Sequence, residues 1–182
     1  MVINIDTTEE CVRGRYASPR FPGCVVNIND LLQWSSGYNR AVHVIDSHSP
    51  EDVEFKVWDN HAMKGSPAAS LVPEIAVDYE RDEVLHKNSF SAFNNTGLDY
   101  ILTEYAVDTL IFTGAFLDIS IRHSVIDAFY RGYDTVVPFD AVMLHASDEE
   151  VDGSLDIVNE MRVMYGTLFA FTDEVLRMEV NK

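Results

Sequence analysis

Short apolar runs alternate with longer amphipathic ones along the whole sequence, and this alternation constrains the fold more than any other feature. The short runs read as strands over Val2–Ile5, Ala41–Ile45, Val84–His86, Thr109–Phe112, Thr135–Pro138 and Thr167–Phe171. Each is β-branched or apolar and is bounded by turn-forming or polar residues. The longer runs read as helices over about Asn27–Ser36, Gly97–Tyr105, Ile119–Arg131, Asp148–Tyr165 and Asp173–Val180, with Ser147 and Thr172 as N-caps of the last two. Strands that alternate with helices imply a parallel sheet covered on both faces. The expected fold is a three-layer α-β-α, Rossmann-like domain with a six-stranded, mostly parallel sheet, built by residues 1–182 as one unit.

A chain of 182 residues, 47% hydrophobic, can bury the core that such a sheet needs. Its formal net charge of −17 repels phosphate backbones and anionic lipid, so neither nucleic acid nor a membrane surface is an expected partner. No run has the length of a membrane-spanning helix, and MVINID lacks the basic-then-apolar order of a signal peptide. The expected location is the cytoplasm. Cys11 and Cys24 are too few for a disulfide framework and do not have CxxC spacing, so they read as small buried thiols.

In open α/β sheets, chemistry collects beyond the carboxyl ends of the strands, near the point where strand order reverses. That rule singles out Asp6, Asp46, Lys87 and the turn over 113–120. Three of these ends hold an acid, a base and a hydroxyl: Asp6, Lys87 and Ser120. Singly, each has a plain structural reading as a turn residue, a solvated cation or an N-cap. Their recurrence at three strand ends makes them a candidate constellation. His43, His86 and His145 have no partner in the sequence and read as packing or surface residues, while Trp58, Phe90 and Phe93 suit either a small pocket wall or the core.

The wording of these segments resembles the isochorismatase-like cysteine hydrolases. TGAFLDISIRHSVIDAFYRGYDTVVPFDAV, residues 113–142, is similar to their nucleophile segment, and KNSFSAFNNTGLDYIL, residues 87–102, to their catalytic-lysine segment. DSHSPEDVEFKVWDNHAMKGSPAASLVPEI, residues 46–75, resembles their Asp-x-His…Trp-x-x-His…Gly segment, and Asp6 stands where the family's aspartate follows strand one. The branch most resembled is the N-carbamoylsarcosine amidases, with Arg-Gly-Arg at 13–15, and next the nicotinamidases.

The resemblance implies hydrolysis of a C–N bond in a small amide or ureido substrate. A nucleophile attacks the carbonyl, an aspartate moves the proton to the leaving nitrogen, and a lysine supports the charge. Carried over, Asp6 is the acid/base, Lys87 its electrostatic partner and Ser120 the nucleophile position. It also implies a cis peptide between Ala115 and Phe116, with the amides of Phe116 and Ser120 as oxyanion donors. No cofactor is required, but Asp46, His48 and His61 match a zinc or iron site of the nicotinamidases; the same residues serve other members as hydrogen-bonding groups. A homo-oligomer is expected by the same resemblance.

The sequence departs from the family where the nucleophilic cysteine belongs, because Ser120 stands there. A serine hydroxyl is far less acidic than a thiol and relies on an activating base. His123, one helical turn on, shares a face with position 120 but reads more readily as a packing residue. Three readings of Ser120 stand open: an introduced Cys→Ser change, a natural loss of the nucleophile, or a chemistry that needs no thiolate. The alternatives to an amidase are accordingly an inactive homologue that binds a small molecule or serves as a structural subunit, and an isochorismatase-type vinyl ether hydrolase. The last needs cations for a dicarboxylate, for which Arg13 and Arg122 are candidates. Thr8 and Cys11 replace the amide and aromatic usual after strand one, and Asn4 lies inside a strand expected to be apolar. These changes point toward a degenerate site.

Overall fold

The structure is a computed structural model and describes residues 1–145 and 151–178. Six strands form one sheet: β1 Val2–Ile5, β2 Val42–Asp46, β3 Glu83–Lys87, β4 Thr109–Gly114, β5 Asp134–Pro138 and β6 Leu168–Ala170. Their spatial order is β3-β2-β1-β4-β5-β6, and every neighbouring pair is parallel. The order reverses between β1 and β4, which places the switch point at the ends of those two strands.

Among the described residues six α-helices cover the sheet: α1 Glu9–Arg13, α2 Phe21–Ser36, α3 Leu98–Glu104, α4 Arg122–Tyr130, α5 Val151–Tyr165 and α6 Thr172–Val175. Alternation of side chains along the strands divides the core in two. Ile3, Ile5, Val42, Val44 and Phe112 pack with Leu98 and Leu102 of α3, Val125 of α4 and Met161 of α5. Val2, Ile111 and Val136 face the other way, onto Ile28 and Leu31 of α2 and Val175 of α6. Among the described residues no helix is long and apolar enough to cross a membrane.

The expected elements are found with shifted ends. Helix α2 begins at Phe21 rather than Asn27, because Pro22 lies in its first turn, where its missing N–H goes unused. The short α1 had no periodic signal. Thr172 is the first residue of α6 rather than its cap; its N–H and hydroxyl both donate to Asp140 Oδ1, at 2.9 and 2.8 Å. Ser147, the start of the fourth expected helix and the end of the last lie outside the described residues.

Asn4 is fully buried, but it is not a defect. Its register partners are His43 on β2 and Thr113 on β4. Its amide nitrogen donates to Thr7 Oγ1 at 2.7 Å and reaches His43 Nδ1 at 3.0 Å, while Thr113 Oγ1 donates to its oxygen at 3.4 Å. The proton of His43 then sits on Nε2, 3.5 Å from Asp82 Oδ2. The residue belongs to the sheet's own polar row, and the inference of a degenerate site loses that support.

Gly114 ends β4 at φ 99°, paired with Ile5. A Cβ there would lie 2.0 Å from the Ile5 carbonyl oxygen and 2.9 Å from its nitrogen, so only glycine lets the strands approach. Gly114→Ala is expected to cost at least about 3 kcal/mol in urea unfolding, combining a disfavoured φ with a backbone clash. Gly132→Ala, also at positive φ but with open space around it, is expected to cost only about 1 kcal/mol. Equal losses for the two would contradict the close approach of β1 and β4.

Candidate active site

The ends of β1, β2 and β3 deliver three charged side chains to one buried point. Asp46 and Lys87 are register partners, and Asp6 follows β1 directly. Lys87 Nζ donates to Asp6 Oδ2 at 2.7 Å and to Asp46 Oδ1 in a shorter contact. Asp6 Oδ1 accepts the Asp46 N–H at 2.8 Å. Asp6 adopts φ 49°, a left-handed conformation that aspartate tolerates better than most residues. The lysine side chain has no exposure at all, so its charge persists only because two carboxylates meet it.

That geometry separates the two acids. Burial, and then repulsion from Asp46, push the Asp6 carboxyl up to about 7 against the pull of Lys87. Burial also acts on Asp46, but Lys87 and His48 outweigh it and hold that carboxyl at about 2. Burial works against the Lys87 ammonium, yet the two carboxylates keep it above its usual range. Near neutral pH, Asp6 is therefore the group able to take up and release a proton.

At the switch point, β4 leads through a cis Ala115–Phe116 bond into one wide turn, Leu117–Ile121, and then α4. Ser120 lies in that turn, buried, and its hydroxyl has no hydrogen-bond partner among the described residues. Its carbonyl accepts from Ser124 Oγ at 2.7 Å, which fixes its backbone to α4. The Phe116 N–H is likewise without a partner among the described residues. Ser120, Asp6 and Asp46 line one narrow cavity. A larger open groove runs past the ends of β2 and β3 between Lys64 and Asn95, but neither Asp6 nor Ser120 faces it.

Trp58 and Phe90 wall the narrow cavity, whereas Phe93 stacks on Tyr133 in the core. Tyr16, Glu54 and His145 also line it and were not singled out from the sequence. His145 lies well past the end of β5, Tyr16 lies in an irregular stretch and Glu54 in a single 3-10 turn, Val53–Lys56, none with a periodic signal. His145, read as a lone histidine, packs against Tyr16, Trp58 and Phe116 at centroid distances of 5.7, 5.4 and 5.5 Å. His123 donates its Nδ1–H to the Ile119 carbonyl at 2.7 Å and packs on Phe90. Cys11 lines the cavity too, but burial and the nearby Asp6 and Asp46 push its thiol well up, so it offers no thiolate. Both cysteines are free and buried.

Asp46, His48 and His61 come together, with ligand atoms within 4.8 Å of one another. His48 Nδ1 bonds Asp52 Oδ2 at 3.1 Å, and His61 Nδ1 donates to the Asp59 carbonyl at 2.8 Å. Each ring thus spends Nδ1 on an orienting partner and presents Nε2 inward, as metal-binding histidines do. His48 Nε2 is buried without a hydrogen bond, 3.5 Å from Asp46 Oδ1 and 3.7 Å from Glu54 Oε2. The donor set fits zinc or iron. Arg13 and Arg122 do not reach the cavity: Arg13 pairs with Glu9 and Glu74, and Arg122 with Glu160.

The chain is similar to proteins already known. The solved N-carbamoylsarcosine amidase of Thermoplasma acidophilum superposes with a TM-score of 0.86 at 29% identity, covering 100% of this chain and 98% of that one. The nicotinamidase of Escherichia coli is 24% identical over 194 residues, 90% of each chain. The pyrazinamidase of Pyrococcus horikoshii, solved in complex with zinc, shares the fold at a TM-score of 0.79 and 18% identity, covering 93% of this chain and 97% of that one. The Isochorismatase domain matches residues 1–166, and the chain belongs to that family of hydrolases.

Proposed function

We propose that the protein hydrolyses the C–N bond of a small amide or ureido compound, with Ser120 as nucleophile and Asp6 as proton carrier. The observation that carries this reading is that Asp6, buried on Lys87, and Ser120, whose hydroxyl has no hydrogen-bond partner among the described residues, line one cavity. Ser120 Oγ attacks the carbonyl carbon as its proton passes to Asp6. The developing oxyanion takes hydrogen bonds from the N–H groups of Phe116 and Ser120. Asp6 then gives the proton to the leaving nitrogen, and the C–N bond breaks to release ammonia or an amine. A water, deprotonated by Asp6, opens the ester and restores the hydroxyl. Lys87 keeps Asp6 within reach of both protonation states. Zinc or iron held by Asp46, His48 and His61 would supply a Lewis acid beside the carbonyl, or a docking point for a ring nitrogen.

Serine is the weaker nucleophile at this pH, so the cysteine form should be the faster one. Ammonia release from a panel including nicotinamide and N-carbamoylsarcosine tests the assignment. Ser120→Cys is expected to raise the rate. Asp6→Asn is expected to lower kcat/KM by about 10²–10⁴-fold, the usual worth of a positioned acid/base. Folded protein that releases no ammonia from any compound, in either the serine or the cysteine form, would overturn the proposal.

The pH profile tests the role of Asp6 separately. The attacking step needs its carboxylate, so kcat/KM should rise as pH climbs through about 7. Lys87 lowers the Asp6 value, so Lys87→Met should move that limb to higher pH. A limb near 4 in the unmodified protein would show that Asp6 is not the titrating base.

A further inference from the structure

The charge of the cavity bears on which amides can enter it. Its lining includes the carboxylates of Asp6, Asp46 and Glu54 and, among the described residues, no arginine or lysine. Lys87 lies behind the first two, fully buried and engaged by both. Glu54 is different. Its side chain is 8% exposed, its nearest cationic partner is His48 at 3.7 Å, and its Oε1 is buried without a hydrogen bond. A buried carboxylate oxygen that faces a cavity without a donor needs one from whatever fills the cavity.

Around Glu54 the wall is aromatic. Tyr16 packs edge-on to Trp58 and His61, at centroid distances of 5.6 and 5.1 Å, and Trp58 edge-on to Phe90 at 6.1 Å. Ring faces carry negative potential and attract cations, most strongly when water is excluded. With no metal held, an anionic substituent would meet these faces and Glu54 with no arginine or lysine among the described lining residues to offset it. Arg15 pairs with Asp59 and bears on the Tyr16 hydroxyl, but is not itself among the lining residues.

Resting on the amidase reading, we propose that the cavity, free of metal, selects small amides that are neutral or carry a positively charged group away from the scissile bond. Glu54 receives that group's N–H, and carboxylate-bearing amides are rejected. N-Carbamoylsarcosine, which carries a carboxylate, falls in the rejected class.

Three amides of similar size test this: 4-(aminomethyl)benzamide as the cation, benzamide, and 4-carboxybenzamide as the anion. Binding is measured by calorimetry on the metal-free Ser120→Ala protein, and turnover by ammonia release from the unmodified one. The cation is expected to bind at least tenfold tighter than the anion, with benzamide between. Glu54→Gln should erase the cation's advantage over benzamide. In case that variant folds poorly, salt gives a second readout on the Ser120→Ala protein, weakening the cation and leaving benzamide unchanged. An anion that binds as tightly as the cation overturns the inference, as does an order that neither Glu54→Gln nor salt changes. Equal turnover of all three overturns it while leaving the amidase reading intact. The expected binding order without ammonia from any amide in the panel supports the inference and removes the amidase reading.

Discussion

The site is organised by one ammonium group buried between two carboxylates. Lys87 is among the largest fully buried side chains in the protein, and it lies where three strands end. Burying a lysine is costly unless its charge is met, and a buried pair stripped of one partner typically loses about 3–5 kcal/mol. The ends of β1, β2 and β3 must therefore stay aligned for the charge to remain satisfied. The same alignment gives Asp6 its left-handed turn and its N–H contact from Asp46. Structure and chemistry thus share a single electrostatic requirement.

Asp46 carries that requirement outward. Its Oδ1 serves Lys87 and lies 3.5 Å from His48, so the ion pair and the histidine pair draw on one oxygen. The two halves of the site are not independent. A substitution at Asp46 would disturb the proton balance of Asp6 and the donor set of His48 and His61 together. The arginines that a dicarboxylate substrate would need are both committed to glutamates away from the cavity, which weighs against vinyl ether chemistry.

Much of this was legible in the sequence. Strand and helix periods named all six strands and the side of the sheet where chemistry belongs, and the strand-end rule selected Asp6, Asp46, Lys87 and the turn holding Ser120. What escaped lies where periodicity carries no information. Tyr16 sits in an irregular stretch and Glu54 in a short 3-10 turn, and only the folded chain shows that they share a cavity with Ser120. Helix α2 opens at Phe21, ahead of the expected Asn27, because a first helical turn needs no N–H from Pro22. Asn4 misled for a related reason: a polar residue in an apolar strand is a fault only if its partners are missing, and those partners are 39 and 109 positions away.

The His43–Asn4–Thr113 row also helps decide how the strands can be laid side by side. In a sheet of short apolar strands, sliding β1 by two residues keeps every side chain on its own face and sets apolar against apolar, so hydrophobic burial alone barely notices the slip. Asn4 does notice. Two places along, its neighbours would be Ala41 or Ile45 on one side and Ile111 or Ala115 on the other, none with a side-chain group to bond it. Its amide, His43 and Thr113 would each be stranded in the core, at about 1–3 kcal/mol apiece. A single asparagine thus acts as a misalignment penalty, steering the growing sheet toward the one stacking in which Asp6, Asp46 and Lys87 can meet.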